Sequence, residues 1–461
     1  MTDSNPTAAR IADPGIRDLY RIEARWQAWL DVEAALAEAQ AELGIVPPAA
    51  AAAIVRAARL ERLDRARIAE ATRRTSHTLV PLVWELARVA GPEAGRWVHW
   101  GATTQNIIQT GDLLVLRRAH RTILLLIADS LTAMAGLAER SADMALPGRT
   151  HGQHAVPATF GFKVAVWIDE LIRHAERLRA AEPRVFAAML GGAAGTFASL
   201  GAQGPAVQAR LAARLGMAPM AVPARSIGDH LAEHVCLLAL LGATCGKIGR
   251  EIYTLMKTEF GEAEEPVPPG TVGSSTMPQK RNPFLCQDVI AAAATLRTVV
   301  PLALEAMQTE HEADRATSLM MREATERACV AAGDALARLA VIVGGLRLDP
   351  EWMRRNLDLS GGLILAEALM LKLGEAIGRQ AAHDVIYESA QAAFTEGRPF
   401  ADLLAADPRV TAHLAPEAIA GMLDPLSYTG LCAAMAREGA ARAREAAGKI
   451  RGGQADSSSL P

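Results

Sequence analysis

The sequence predicts an all-α protein of three domains with a bundle of five long helices at its centre. Apolar residues recur at spacings of three and four over most of the 461 residues. Alanine- and leucine-rich stretches of this kind run on for about 25 to 35 residues, far past an ordinary helix length. No run of alternating β-branched residues bounded by turns is long enough to propose a sheet.

In chain order, LYRIEARWQAWLDVEAALAEAQAELG (Leu19 to Gly44) is the first helix, and Gly44 with Pro47 and Pro48 ends it. Long helices follow at about 107–143, 155–181, 227–258, 284–308 and 318–345; at 1.5 Å per residue each is roughly 40 to 50 Å long. Stretches such as CLLALLGATCGKIG and DVIAAAATLRTVVPLALEAM are apolar around much of their circumference, which predicts cover from other subunits in a homo-oligomer. The expected organisation is an N-terminal helical domain at 1–105, a central bundle at 106–348 interrupted by a loop at 261–283, and a C-terminal helical domain at 349–461. Gly452 to Pro461 reads as a disordered tail.

Composition removes several function classes. With 48 basic and 51 acidic residues and a net charge of -3, well mixed along the chain, no footprint for nucleic acid is present. The first residues, MTDSNPTAARIADPG, lack a signal-peptide pattern, and no uncharged apolar run reaches membrane-spanning length, so a cytoplasmic location without a membrane partner is expected. The five cysteines form no CxxC pair and read as buried apolar residues.

Between two long helices lies GEAEEPVPPGTVGSSTMPQKRNP, whose prolines and glycines forbid helix. A loop of this length tends to be functional or disordered, and the plain alternative is an exposed linker between bundle helices. It offers the hydroxyls of Ser274 and Ser275, backbone N–H groups from Gly273 to Thr276, and a cation at Lys280 beside Asn282, a combination suited to a carboxylate or to charge developing on one.

GSSTMPQKRNP closely resembles the signature loop of the fumarase/aspartase superfamily, which pairs GSSxMPxKxNP with a long-helix bundle. HWGATTQN (His99 to Asn106) is similar to its HxGxTSxD segment, GRTHGQHAVPATFG (Gly148 to Gly161) to its GRTHGQ segment, and RRNLDLSGGLILAEAL (Arg354 to Leu369) to the start of its third domain. The resemblance implies a homotetramer whose core helices merge into one bundle of twenty, with active sites shared between subunits. It makes Ser274 the base that removes a proton beside a carboxylate and His151 the acid at the leaving group. It places His99, Thr103, Thr104, Thr150, Gln153, Ser275, Met277, Lys280 and Asn282 around a small dicarboxylate substrate.

RRTSHTLVPLVWEL puts His77 near the place of another active-site histidine of adenylosuccinate lyases. His154 is read as a hydrogen-bonded core histidine. His230 and His234, four apart in GDHLAEH, lack a third ligand and are read as structural, so no metal is expected. Acid, base and anion stabilisation by protein groups require no cofactor.

The implied activity is anti β-elimination that releases fumarate from an N-substituted aspartate, of which adenylosuccinate is the best-known example, or from a similar substituted succinate. The alternatives are a 3-carboxy-cis,cis-muconate cycloisomerase and a catalytically silent structural relative. VHWGATTQN and RRNLDLSGGLILAEAL look more like the cycloisomerase, and the histidine of GRTHG like the lyase. QTEHEADRATSLMMREATE departs from the ERDxSHSS-type stretch that helps hold a nucleotide, SIGDHLAEH lacks QRDRH-like arginines, and Asn106 stands where the pattern has aspartate.

Overall fold

A computed structural model describes residues 6–268 and 270–455, and among them helix dominates. Helix α1 (Ile22–Glu42) leads to the five long helices: α2 (Thr104–Arg140), α3 (Phe160–Val185), α4 (Asp229–Leu255), α5 (Phe284–Glu305) and α6 (Arg315–Gly345). All five lie near where the apolar periodicity places them, with the start of α3 displaced. One continuous core runs through them, from Trp29 and Leu36 of α1 to Leu131, Leu171, Leu238, Leu296 and Leu339.

The direction of each helix follows from contacts at its ends. Arg140, the last residue of α2, donates to the Leu346 carbonyl just beyond α6 (2.8 Å), and Arg149 beyond α2 pairs with Glu262 beyond α4. These ends share an upper pole. At the lower pole Asp112, early in α2, pairs with Arg322, early in α6 (3.2 Å). The 37 residues of α2 separate the two poles by roughly 55 Å.

Glycine sets how closely α4 and α5 approach. A Cβ on Gly242 would lie 2.3 Å from Leu296 Cδ1, and one on Gly246 2.8 Å from Ala293 Cβ. Helices α2, α4, α5 and α6 are long and apolar enough to cross a membrane by length and composition, but the bundle takes up that apolar surface unequally: 72% of the stretch is buried in α6 and 39% in α5. Leu240, Leu304 and Val341 remain exposed on α4, α5 and α6.

Two expectations are corrected. No sheet was foreseen, yet β1 (Ala145–Thr150) and β2 (Gln153–Thr159) form an antiparallel hairpin, and β3 (Ala263–Glu264) pairs with β4 (Arg347–Leu348). Pro147, Gly148 and Pro157 hide the hairpin's alternation, and the register shifts between Pro147 and Arg149. Accordingly α3 begins at Phe160, where the Thr159 hydroxyl accepts from the Phe162 N–H, and not near 155.

Beyond α7 (Pro350–Asp358), short helices enclose a separate small core of Leu369, Leu373, Phe400 and Leu404. Helix α8 (Cys432–Ala455) then returns along α2 and α3, burying Ala440, Ala443, Ala447 and Ile450. Its continuation through Gly452 to Ala455 corrects the first part of the predicted tail; residues 456–461 lie outside the described residues.

The α4–α5 contact is tested by Gly242→Val, which should lower stability by about 1–3 kcal/mol through overpacking, whereas Gly136→Ala, at a helical site with open space, should raise it by up to about 1 kcal/mol. Chemical denaturation of both variants checks the contrast.

Two buried histidines give the fold a pH dependence. Burial, then the Arg177 charge, pushes His174 down to about 4, and burial, then His120, pushes His234 down to about 3. A histidine depressed in the folded state binds its proton more readily unfolded. Its contribution is therefore complete above the unfolded value near 6.5 and is lost as pH falls toward the folded value. Between pH 7.5 and 5 each histidine should cost about 2 kcal/mol. Denaturant unfolding at the two pH values should show His174→Gln losing less stability than the parent by about that amount.

Candidate active site

The loop after α4 is closed at two levels. At its stem the buried Glu265 carboxylate accepts from the Leu285 and Cys286 N–H groups (2.9 Å each), capping α5; burial raises its pKa, and those two donors oppose the rise. At its neck the Asn282 side-chain amide donates to the Gly273 carbonyl. A Cβ on Gly273 would lie 2.2 Å from the Lys280 carbonyl oxygen, so the crossing admits only glycine.

Inside the closed loop the Ser274 hydroxyl accepts from the backbone N–H groups of Thr276 (3.3 Å) and Met277 (3.1 Å). Two N–H dipoles aimed at one oxygen favour its anionic form. Ser275, Met277 and Lys280 are exposed, and among the described residues Lys280 has no carboxylate partner.

His151 and Gly152 are the two-residue turn between β1 and β2, with φ of 53° and 77°. Both residues are left-handed, as in the turn that matches the twist of paired strands. Thr150, His151 and Gln153 are exposed at this tip. His154, one residue into β2, is half-buried, and burial, then the Arg149 charge, depresses its pKa. Among the described residues its side chain has no hydrogen-bond partner, which departs from its reading as a bonded core histidine.

His99, Thr103 and Thr104 stand at the lower pole, where the chain turns into α2. His99 Nδ1 meets the buried Glu33 carboxylate at 2.6 Å. Burial opposes a charge on His99, and the bond and charge of Glu33 together outweigh it, so its pKa is raised. Asn106 is buried beneath: its Oδ1 accepts from the Thr103 and Gly192 N–H groups, and its Nδ2 donates to the Gly192 carbonyl. That last bond requires an amide, which gives asparagine a structural reason to replace aspartate. His77 Nδ1 accepts from the Leu79 and Val80 N–H groups and caps the helix Val80–Ala90.

The lower pole also holds a cavity, open at its mouth, between the starts of α2, α4 and α6. Ser226 and Gly228 line it from one of the two stretches that departed from the nucleotide-binding pattern; Thr317, Ser318 and Arg322 line it from the other. Arg25 pairs with Asp112 (3.4 Å) and Glu326 (2.6 Å), and Arg322 pairs with Asp112. Two donors in the wall, Gln109 Nε2 and Arg225 Nε, are buried with no acceptor, and Arg225 forms no ion pair among the described residues. The cavity wall thus carries two buried donors without acceptors among the described residues.

The chain brings His151 and the Ser274 loop to its upper pole and leaves Thr103, Thr104 and His99 at the other. Sequence reasoning missed Gln109, Arg225, Arg149 and Glu262, since nothing local marks a polar residue whose partner lies far along the chain.

Residues 3–297, more than half the chain, match the protein family described as Lyase, and residues 362–438 match the one described as Adenylosuccinate lyase C-terminus. The chain is 39% identical over 418 residues to an N-acetyl-S-(2-succino)cysteine lyase of Enterococcus italicus, covering 91% of this chain and 92% of that protein. It is 41% identical over 421 residues to a 3-carboxy-cis,cis-muconate cycloisomerase of Pseudomonas aeruginosa, covering 90% and 91%. The crystal structure of a fumarate lyase from Mesorhizobium sp. BNC1 matches with a TM-score of 0.87 at 36% identity, over 93% of this chain and 98% of that one. With its long-helix bundle and signature loop, the chain belongs to the lyase family of the fumarase/aspartase superfamily, in the branch of the adenylosuccinate lyases and 3-carboxy-cis,cis-muconate cycloisomerases.

Proposed function

We propose that this chain releases fumarate from a 2-substituted succinate by anti β-elimination, with an amine or thiol as leaving group. The observation that carries this reading is Ser274, whose hydroxyl receives two backbone N–H groups within a loop that also presents Lys280. Ser274 takes the proton from the carbon beside one carboxylate. The C–H electrons form the double bond, the bond from the neighbouring carbon to nitrogen or sulfur breaks, and His151 protonates the departing atom. The transient negative charge falls on the carboxylate, where loop N–H groups and Lys280 stabilise it. No step of this chemistry calls for a cofactor.

Thr103, Thr104 and His99 would bind substrate carboxylate from a second protomer, since α2 holds them a bundle's length from the same chain's His151. Thr150 and Gln153 flank the acid, with Ser275 and Met277 beside the base. Asn282 acts by closing the loop neck, and His77 by ordering the helix it caps. Helix α5, with the least covered apolar surface, would pack against its counterparts in a homotetramer.

The lower cavity would hold the leaving group. Gln109 and Arg225 call for oxygen acceptors there, which an acylamino acid or a phosphate supplies. The name of the 39% identical relative supports a sulfur-linked succinate. The cycloisomerase reading is supported by the 41% identical relative and makes no use of a leaving-group cavity.

A panel of N-acetyl-S-(2-succino)cysteine, adenylosuccinate and 3-carboxymuconate, followed by fumarate absorbance and by lactone formation, decides between them. Fumarate is expected from a substituted succinate, and Ser274→Ala should lower kcat by about 10² or more with the fold unchanged. Lactone formation without fumarate release would overturn the reading.

Site sharing is tested by mixing. Ser274→Ala and Thr104→Ala, each nearly inactive alone, should regain activity after joint dissociation and reassembly, because some mixed sites then join an intact upper pole of one protomer to an intact lower pole of another. Retained activity in a protomer shown by sedimentation to be a monomer would contradict shared sites.

A further inference from the structure

We propose that Glu262 is a positioning residue that ties the His151 hairpin to the foot of the Ser274 loop. The proposal rests on the roles given above to His151 and Ser274, and its geometry is independent of which substrate is cleaved.

Glu262 is fully buried, and each of its polar groups reaches a different element. Its carboxylate meets the Arg149 guanidinium through two contacts, Nη1 to Oε2 at 3.0 Å and Nη2 to Oε1 at 2.5 Å. Arg149 belongs to β1, two residues before His151, and also lies over the Phe260 ring at 5.0 Å. The same Oε1 accepts from Asn356 Nδ2 of α7 at 2.7 Å, and that amide also donates to the Phe260 carbonyl at 2.8 Å. Along the main chain, the Glu262 N–H donates to the Leu255 carbonyl at the end of α4, and its own carbonyl accepts from Asp349 N–H. From this residue the chain enters β3 and then the loop.

Burial of a carboxylate is expensive, and a buried ion pair is usually no more stabilising than apolar groups of the same volume. Stability alone therefore gives no reason for charge at this point. Orientation does. A two-point guanidinium–carboxylate contact fixes both distance and angle, which an apolar contact leaves free. Arg149 cannot shift without carrying the turn at His151, and Glu262 cannot shift without carrying the loop stem. A displacement of about 1 Å at a proton-transferring group can cost 10²-fold in rate.

The test uses the full-length protein, with Glu262→Gln and the double variant Arg149→Met/Glu262→Met. Hydrogen–deuterium exchange should rise in Glu262→Gln over both 145–159 and 270–283. Its kcat should fall about 10- to 100-fold with KM changed less than about threefold, because Glu262 touches no substrate. The double variant should recover the parent melting temperature, as apolar replacement of a buried pair allows, and should keep the low kcat. Faster exchange in only one of the two segments would overturn the coupling, and recovery of kcat together with melting temperature would show a merely structural role. Should the unmodified protein release no fumarate from any panel substrate, the proposed function fails, and the exchange measurement still decides the coupling.

Discussion

The distance spanned by one unbroken helix governs the rest of this molecule. Helix α2 runs for 37 residues, and a side chain reaches only a few ångströms, so groups at its two ends cannot touch one substrate. The hairpin and the signature loop are built from chain that leaves the bundle at one pole. The threonines and the donor-lined cavity are built from chain that enters at the other. Small residues let the intervening helices pack close, and Gly242 and Gly246 fix that spacing for α4 and α5. Each protomer therefore offers two different half-sites, and association of protomers is a condition of chemistry under the function proposed above.

At the upper pole the loop is long but not slack. Glu265 holds the stem to α5 and Asn282 holds the neck to Gly273. Between these ties the Ser274 oxygen already sits under two backbone donors. Under the function proposed above, donors arranged in advance hold the charge of the serine oxygen before it takes the proton, with no rearrangement needed.

Much of this architecture was legible because helix leaves a periodic trace. The five long helices, the loop at 261–283 and the turn at Gly44 follow from spacing, proline and glycine alone. The hairpin at 145–159 was not legible: two prolines and a glycine interrupt its alternation, and its turn uses His-Gly, not the usual Asn-Gly. The helical part of the predicted tail, Gly452 to Ala455, was missed because two glycines and a polar run outweigh the packing of α8 in any local reading. The signature loop and its serine were visible as a motif, whereas Glu262 was not. Its partners Arg149 and Asn356 lie 113 and 94 residues away, and no window of sequence contains all three.

Helix α8 has a consequence for how the chain is made. Its arginines meet partners laid down far earlier, Arg444 with Glu139 across 305 residues and Arg442 with Asp169 across 273. At a synthesis rate of about 5 to 20 residues per second, the groove between α2 and α3 would wait roughly 15 to 60 s for the helix that covers it. During that interval an apolar furrow faces solvent or whatever chaperone attends the ribosome. The helix that completes the outer wall is thus also the step that closes the groove between α2 and α3 during the chain's own synthesis.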